Sequence, residues 1–144
     1  MLNLLDTEGS PYGVSTPVQS FHNGVVGGAY DQLVYVRNTD PSKYYTSVQL
    51  LAENLGDYND AGEWGTTGWG VKLIYGSRVP TELEWDAVDA DSTLVLPDIG
   101  STEAADTFTN HPVWVRVYCP GAEPAQIRES MQLKMRCVQR EVGA

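Results

Sequence analysis

The stretch that comes closest to a ligand-binding motif is the Asn-, Asp- and Gly-rich segment 57–62. Like the start of a calcium loop, it has oxygen-bearing side chains at its first and third positions and glycine at its sixth. It departs from that pattern at the fifth position, which is Ala61, and at the twelfth, where Gly68 stands instead of a bidentate glutamate. Similar clusters are common in ordinary loops between strands. We therefore expect no metal and no other cofactor, and calcium binding by 57–62 is the alternative.

A second group that invites a chemical interpretation is a run of carboxylates, since one suitably spaced pair is enough to hydrolyse a glycoside. A solvated acidic face is the simpler interpretation of this run. His22 and His111 have no partner motif in the sequence, and no GxSxG motif is present. We therefore expect no catalytic residues. The carboxylates of the run are Glu82, Glu84, Asp86, Asp89 and Asp91.

The overall charge of the protein excludes some classes of binding partner. The 144 residues include 9 basic and 19 acidic side chains, which gives a net charge of −10 and a pI of about 4.4. Nucleic acid and anionic membranes repel such a protein, so we expect neither as a partner. The first residues lack the basic and apolar regions of a secretion signal, and no segment has the roughly 20 apolar residues of a membrane span. We therefore expect the chain to be made and to mature in the cytoplasm.

The two cysteines, Cys119 and Cys137, are expected to be reduced core thiols, because no secretion signal precedes them. A disulfide between them is the alternative, although a simple hairpin would place them several residue pairs apart. Together with the two histidines they lack the spacing of a zinc site.

The elements that must position any site are β-strands, and the clearest of them is 113–119. Its valines alternate with Trp, Arg and Tyr, which predicts a strand with one buried face. Residues 131–137 alternate in the same way, and we predict that the two strands form a terminal antiparallel pair. The side chains on its outer side then form a mixed aromatic and basic contact surface on an otherwise acidic protein. This predicted surface comprises Trp114, Arg116, Lys134 and Arg136.

Shorter signals complete the chain. Strands are predicted at 32–38 and 44–52, which together form a hairpin-like pair, and at 69–76 and 92–96. Residues 81–85 are compatible with one helical turn, since Thr81 and Glu84 have the spacing of a capping box.

About seven short strands with regular turn signals predict an all-β fold, specifically a two-sheet antiparallel β-sandwich. We place the sandwich at 21–144 and an irregular N-terminal arm at 1–20. An immunoglobulin-like topology is one form that this sandwich can take, and a small barrel is the alternative architecture.

Several of these stretches resemble small structural proteins of tailed bacteriophages. The resemblance extends over residues 20–140. It implies a virion protein with a β-sandwich core that decorates or cements the capsid, or that forms part of the collar, neck or tail. It implies no catalytic residue. The stretches are 21–24 with 27–28, 33–38, 44–46, 68–73, 80–85, 112–117 and 119–121.

We therefore expect a non-enzymatic virion structural protein, first of all a capsid decoration or cement subunit assembled in the host cytoplasm. Such a subunit bridges neighbouring major capsid proteins, or binds other virion proteins, and is a homo-oligomer in the particle. Leu2, Leu4 and Leu5 of the arm are predicted to pack on a neighbour. A collar, neck or tail component is the first alternative. A carbohydrate-binding module is the second, and it requires exposed coplanar rings such as Trp64 and Trp69, whereas tryptophans are more often buried.

Overall fold

The computed structural model describes residues 2–13, 17–21, 28–54, 70–119 and 131–143. The predicted strands are present in this part of the chain, and the helical turn at 81–85 is present as α1. The elements are β1 (Leu2–Leu5), β2 (Gly28–Asn38), β3 (Lys43–Asn54), β4 (Gly70–Tyr75), α1 (Glu82–Asp86), β5 (Thr93–Val95), β6 (His111–Cys119) and β7 (Met131–Glu141).

The strands of the described residues form two antiparallel sheets. One has the order β1-β2-β6-β4 and the other has the order β5-β3-β7. The predicted all-β fold with two packed antiparallel sheets is confirmed. The order differs from that of an immunoglobulin constant domain, whose sheets are A-B-E-D and C-F-G. In that domain the fifth strand lies between the second and the fourth, whereas here β6 occupies this place.

One buried cluster joins the two sheets. The valines that alternate along β6 are at most 7% exposed, as their spacing predicted. Burying an aliphatic side chain of this kind stabilises the fold by about 1.5–3 kcal/mol. Leu133 and Met135 of β7 pack against the cluster from the edge of the smaller sheet. The cluster includes Val34, Val36, Val71, Leu73, Val113, Val115 and Val117 from one sheet and Tyr45, Val48, Leu50 and Ala52 from the other.

From β3 onward, each strand lies in the sheet opposite to the strand before it. β2 pairs with β1 and β6, so the predicted hairpin at 32–52 is wrong. β6 pairs with β2 and β4 while β7 pairs with β3, so the predicted terminal pair is also wrong. Alternation identifies the buried face of a strand, but it does not indicate in which of the two sheets the next strand lies.

The crossing from β2 to β3 is organised by Asn38, which is fully buried. Its Nδ2 donates to the carbonyl oxygens of Lys43 at 2.9 Å and of Ala105 at 2.8 Å. Its Oδ1 accepts the backbone N–H of Asp40 at 2.8 Å. Because these contacts satisfy the buried amide, its desolvation cost is offset and the direction of the reversal is specified.

A β-bulge in β3 sets which side chains face outward. Tyr45 before the bulge and Val48 after it are both buried, and the register with β7 shifts between Thr46 and Gln49. Ser47, between them, has a φ of 51°. The extra residue keeps the core side of β3 continuous and places Thr46 and Gln49 on the outer side of the sheet.

The N-terminal leucines belong to the sandwich. β1 pairs with β2 from Leu2 opposite Asn38 to Leu5 opposite Tyr35. Leu2 is 9% and Leu5 3% exposed, and Leu4 packs against the core cluster. Residues 2–5 therefore form a strand of the molecule's own sandwich, which buries Leu2 and Leu5 and partly buries Leu4, whereas the packing of these leucines on a neighbour stays a prediction.

Candidate protein contact surfaces

The outer side of the larger sheet is covered by residues 76–92, which connect β4 to β5 and which we call the strap. Its helix α1 begins with the predicted capping box: Thr81 accepts the backbone N–H of Glu84, and the Glu84 carboxylate accepts that of Thr81 at 3.1 Å. Arg78 donates two hydrogen bonds to Glu84, at 2.9 and 3.0 Å. These contacts hold the pKa of Glu84 at about 2. The one-turn helix is thus fixed at its start, and it carries Trp85 against the sheet, where Trp85 is 1% exposed.

Arg116 of β6 ties the strap to the sheet. Its Nε and Nη2 donate to the carboxylate of Asp31 at 2.7 and 2.8 Å, and its Nη1 and Nη2 donate to that of Glu82 at 2.8 and 2.9 Å. Its guanidinium carbon lies 4.8 Å from the ring centroid of Trp85. Hydrogen bonds with Asp31 and then Glu82 raise the pKa of Arg116 above its ordinary value, so the charge is permanent. Arg116 is therefore engaged within its own chain.

Two further contacts anchor the strap to β4. Lys72, which is 5% exposed, donates from Nζ to the Trp85 carbonyl at 3.0 Å, and burial lowers the pKa of this lysine. At the far end, the Asp91 N–H donates to the Val71 carbonyl at 2.7 Å and Asp91 Oδ1 accepts the Val71 N–H at 3.0 Å. The strap is therefore part of the folded domain along its length.

The predicted contact surface is divided between the two sheets. Trp114 and Arg116 lie on the outer side of the larger sheet, and Lys134 and Arg136 lie on that of the smaller one. Trp114 is half-buried, and its indole N–H is buried without a hydrogen-bond partner among the described residues. The four side chains do not form one strip, because β6 and β7 are not neighbours. Only the Lys134 and Arg136 half is exposed.

On the outer side of the smaller sheet, side chains of the two edge strands are exposed to solvent. Val95 of β5 is 67% exposed and Val138 of β7 is 43% exposed. The strand register places Val95 and Arg136 on either side of Gln49, and Val138 lies between Arg136 and Arg140 in the alternation of β7. We call this surface the β7 face. It comprises Val95, Lys134, Arg136, Val138 and Arg140.

The β7 face is basic on an acidic protein. Its three cations are one third of the 9 basic residues of the chain. The positions of β3 that lie across from these three cations are Tyr44, Gln49 and Leu51, none of which is acidic. Elsewhere in the described ranges, Lys43, Arg78 and Arg116 form ion pairs with carboxylates. Arg136 forms no ion pair with any described residue, so its charge is directed to solvent or to a partner.

Part of this face was not identified from the sequence. Only Lys134 and Arg136 were predicted, whereas Val138 and Arg140 continue the same alternation toward the end of β7. Extending the period-two pattern beyond Cys137 would have included both residues. Val95 carries no such signal, because its place on the face depends on the pairing of β5 with β3.

The remaining candidate sites from the sequence do not gain a role from the structure. Four of them lie outside the described residues: segment 57–62, His22, Trp64 and Trp69. His111 Nε2 is 3.1 Å from Asp106 Oδ2 at the start of β6. Within the described ranges, no group of three or more His, Cys, Asp or Glu side chains could hold a metal ion.

Cys119 and Cys137 form no disulfide and lie in different sheets. Cys119 is buried, as expected of a core thiol, whereas Cys137 is exposed. Burial of its thiol by neighbouring atoms still raises the pKa of Cys137, which lowers its reactivity as a thiolate.

Comparisons with protein-family models, with curated proteins and with solved structures give no match. No residue role therefore comes to this chain from a relative, and the contact surfaces stand on their own geometry. None of the described helices has the length and apolar character needed to cross a membrane.

Proposed function

We propose that this chain is a non-enzymatic structural protein that binds other proteins through the β7 face, and that it is a capsid decoration or cement subunit of a tailed-bacteriophage virion. The observation that carries the binding role is an exposed surface of adjoining valines and arginines on a protein whose net charge is −10. The virion setting is supported by the resemblance of several stretches to small structural proteins of these phages.

The composition of the β7 face suits a protein interface. Arginine is enriched in such interfaces because its planar guanidinium binds carboxylates and packs on apolar groups, and exposed aliphatic side chains supply the apolar centre. The face is also built on strands, so it is held in place without the cost of ordering a loop. A capsid surface with acidic residues around a small apolar patch would complement it.

The mechanism of such a subunit is additive binding. Each copy contributes a modest contact to neighbouring capsid proteins, and copies that are linked on one shell gain avidity without requiring a large interface each.

The direct test is co-sedimentation with emptied capsids of the phage that encodes the chain. Wild type is compared with a double variant of the β7 face, Arg136→Gln with Val138→Ser, which lowers the net charge by one unit. Thr7→Glu is the matched control, because it lowers the charge equally at an exposed turn outside the face. We expect wild type and Thr7→Glu to bind and the double variant to lose at least about tenfold in affinity.

The outcomes separate the two parts of the proposal. Wild type that fails to bind emptied capsids would overturn the capsid assignment. A double variant that binds as well as wild type would overturn the role of the β7 face. Where binding occurs, the copy number locates the protein, because a shell holds hundreds of copies and a collar or neck ring about a dozen.

A further inference from the structure

A second exposed surface lies on the strap, on the side of the sandwich opposite the β7 face. Leu83 of α1 is 81% exposed and Val79 just before the helix is 60% exposed. Nearby positions of the strap carry acidic side chains: Glu82, which is 77% exposed although it is paired with Arg116, and the exposed Asp86 and Asp89. The cation beside Val79, Arg78, is paired with Glu84. We call this surface the α1 face. It comprises Val79, Glu82, Leu83, Asp86 and Asp89.

The two faces are complementary in two respects. Each has two exposed apolar side chains, Val79 and Leu83 on one and Val95 and Val138 on the other. The charges around these side chains are acidic on the α1 face and basic on the β7 face. Joining them would bury apolar surface and bring opposite charges together, which favours the correct register over others.

Both faces are held by the fold. The strap is fixed to the larger sheet through Arg116, Lys72 and Asp91, and the β7 face is part of the smaller sheet. Because the core separates the two sheets, one chain cannot join its own two faces. Their natural contact is therefore between copies.

We propose that the β7 face of one copy binds the α1 face of a second copy, so that the protein assembles head to tail. The proposal rests on the binding role of the β7 face proposed above and gives that face a second partner, another copy of the chain, which competes with the capsid for it. A contact between two different faces is heterologous, so a pair of copies still has one free β7 face and one free α1 face. Repetition of the contact closes into a ring if the rotation per copy allows it and otherwise gives a filament.

Net charge opposes this contact at long range. Two copies that each carry −10 repel one another, whereas the complementary charges attract only at contact distance. At about 0.15 M salt the screening length is roughly 8 Å, which weakens the repulsion between whole molecules more than the attraction between adjoining side chains. Assembly should therefore be measured at physiological ionic strength and at high protein concentration.

The test uses two variants that each block one face. Leu83→Lys places a cation in the centre of the α1 face at a position with high exposure, and lysine is compatible with a helix. Arg136→Glu reverses a charge in the β7 face. Glu8→Lys, in an exposed turn outside both faces, controls for a more positive net charge, and Thr7→Glu with Ser10→Glu in the same turn lowers the net charge by two units, as Arg136→Glu does. Both controls should associate like wild type. Thermal unfolding first verifies that all of these variants are folded.

Sedimentation velocity and light scattering are then recorded over a hundredfold concentration range up to about 1 mM. We expect wild type and Glu8→Lys to form species larger than a dimer, and each blocked variant to remain monomeric. An equimolar mixture of the two blocked variants should form a 1:1 dimer and nothing larger. In that mixture the intact β7 face of Leu83→Lys meets the intact α1 face of Arg136→Glu, and the remaining faces are both blocked.

Three results would overturn the inference. One is wild type that stays monomeric throughout the range. Another is Leu83→Lys that self-associates like wild type, which would indicate a symmetric contact between two β7 faces. The third is a mixture that forms no heterodimer. None of these bears on capsid binding, so the capsid test can still succeed when self-association fails, and the two proposals remain separable.

Discussion

The outer sides of the two sheets use the same kind of residue in opposite ways. Arg116 and Arg136 each alternate with apolar residues along a strand and point away from the core. On the larger sheet, the Arg116 side chain is only 12% exposed, bound to two carboxylates beneath the strap. On the smaller sheet, Arg136 is exposed and forms no ion pair with the described residues. One arginine stabilises the fold, and the other is available to a partner.

The position of each strand in its sheet explains the difference. β6 lies between β2 and β4, so its outward side chains have neighbours on both sides, and Asp31 is directly opposite Arg116 on β2. β7 is an edge strand with one neighbour, and the residue opposite Arg136 is the uncharged Gln49. A central position supplies partners from the chain itself, whereas an edge position leaves a side chain partly unpartnered.

The largest expected effect is the loss of the cover over the larger sheet. Trp85→Ala removes a side chain that is 1% exposed and should lower the free energy of unfolding by about 3–5 kcal/mol, because the strap cannot fill the cavity. Leu83→Ala, two residues earlier in α1 and 81% exposed, should change it by less than about 0.5 kcal/mol. Urea denaturation at low protein concentration measures both. Similar losses in the two variants would mean that the strap does not depend on Trp85.

An intermediate effect should distinguish the two arginines. Arg116→Met leaves Asp31 and Glu82 without their cation and should lower the free energy of unfolding by about 1–2 kcal/mol. This is less than for a fully buried pair, because the Glu82 side chain is 77% exposed. Arg136→Met, the matched change, should cost less than about 0.5 kcal/mol. Equal effects, again from urea denaturation, would contradict the contrast between the two sheets.

The smallest expected effect concerns how the stability that the strap contributes depends on pH in the acid range. The pKa of Glu84 is lowered from 4.5 to about 2, so the stability contributed by its carboxylate is complete above pH 4.5 and is lost as the pH falls toward 2. Glu84→Gln should therefore reduce the fall in the thermal unfolding midpoint between pH 6 and about pH 2.5. Glu8→Gln removes an exposed carboxylate that is in none of the ion pairs, and it should retain the acid dependence of wild type. An unchanged profile in Glu84→Gln would show that the pair with Arg78 contributes nothing.

Much of the local structure could be predicted because it depends on neighbouring residues. The alternation along β6 identified its buried valines, and the spacing of Thr81 and Glu84 identified the cap of α1. These signals have a period of two, or a fixed offset of three, and they are read from a few consecutive positions.

The pairing of strands could not be predicted in the same way. Closeness in sequence favoured hairpins at 32–52 and at the end of the chain, yet the two strands of each predicted pair lie in different sheets. The residues of a turn indicate where a strand ends, but they do not indicate in which sheet the next strand lies. Here the buried side-chain amide of Asn38 lies at the reversal after β2, and it donates to the carbonyl oxygen of Ala105, which is 67 residues away in the sequence.

By itself, the sequence determined where the strands lie, which of their faces are buried and how α1 begins, because each of these follows from local periodicity and capping chemistry. Only the tertiary structure decided that Leu2 and Leu5 serve their own core, that Arg116 is engaged by Asp31 and Glu82, and that Arg136 remains exposed. The physical reason is that these outcomes depend on neighbours brought together by non-local pairing, which the whole buried cluster selects and no short stretch of residues encodes.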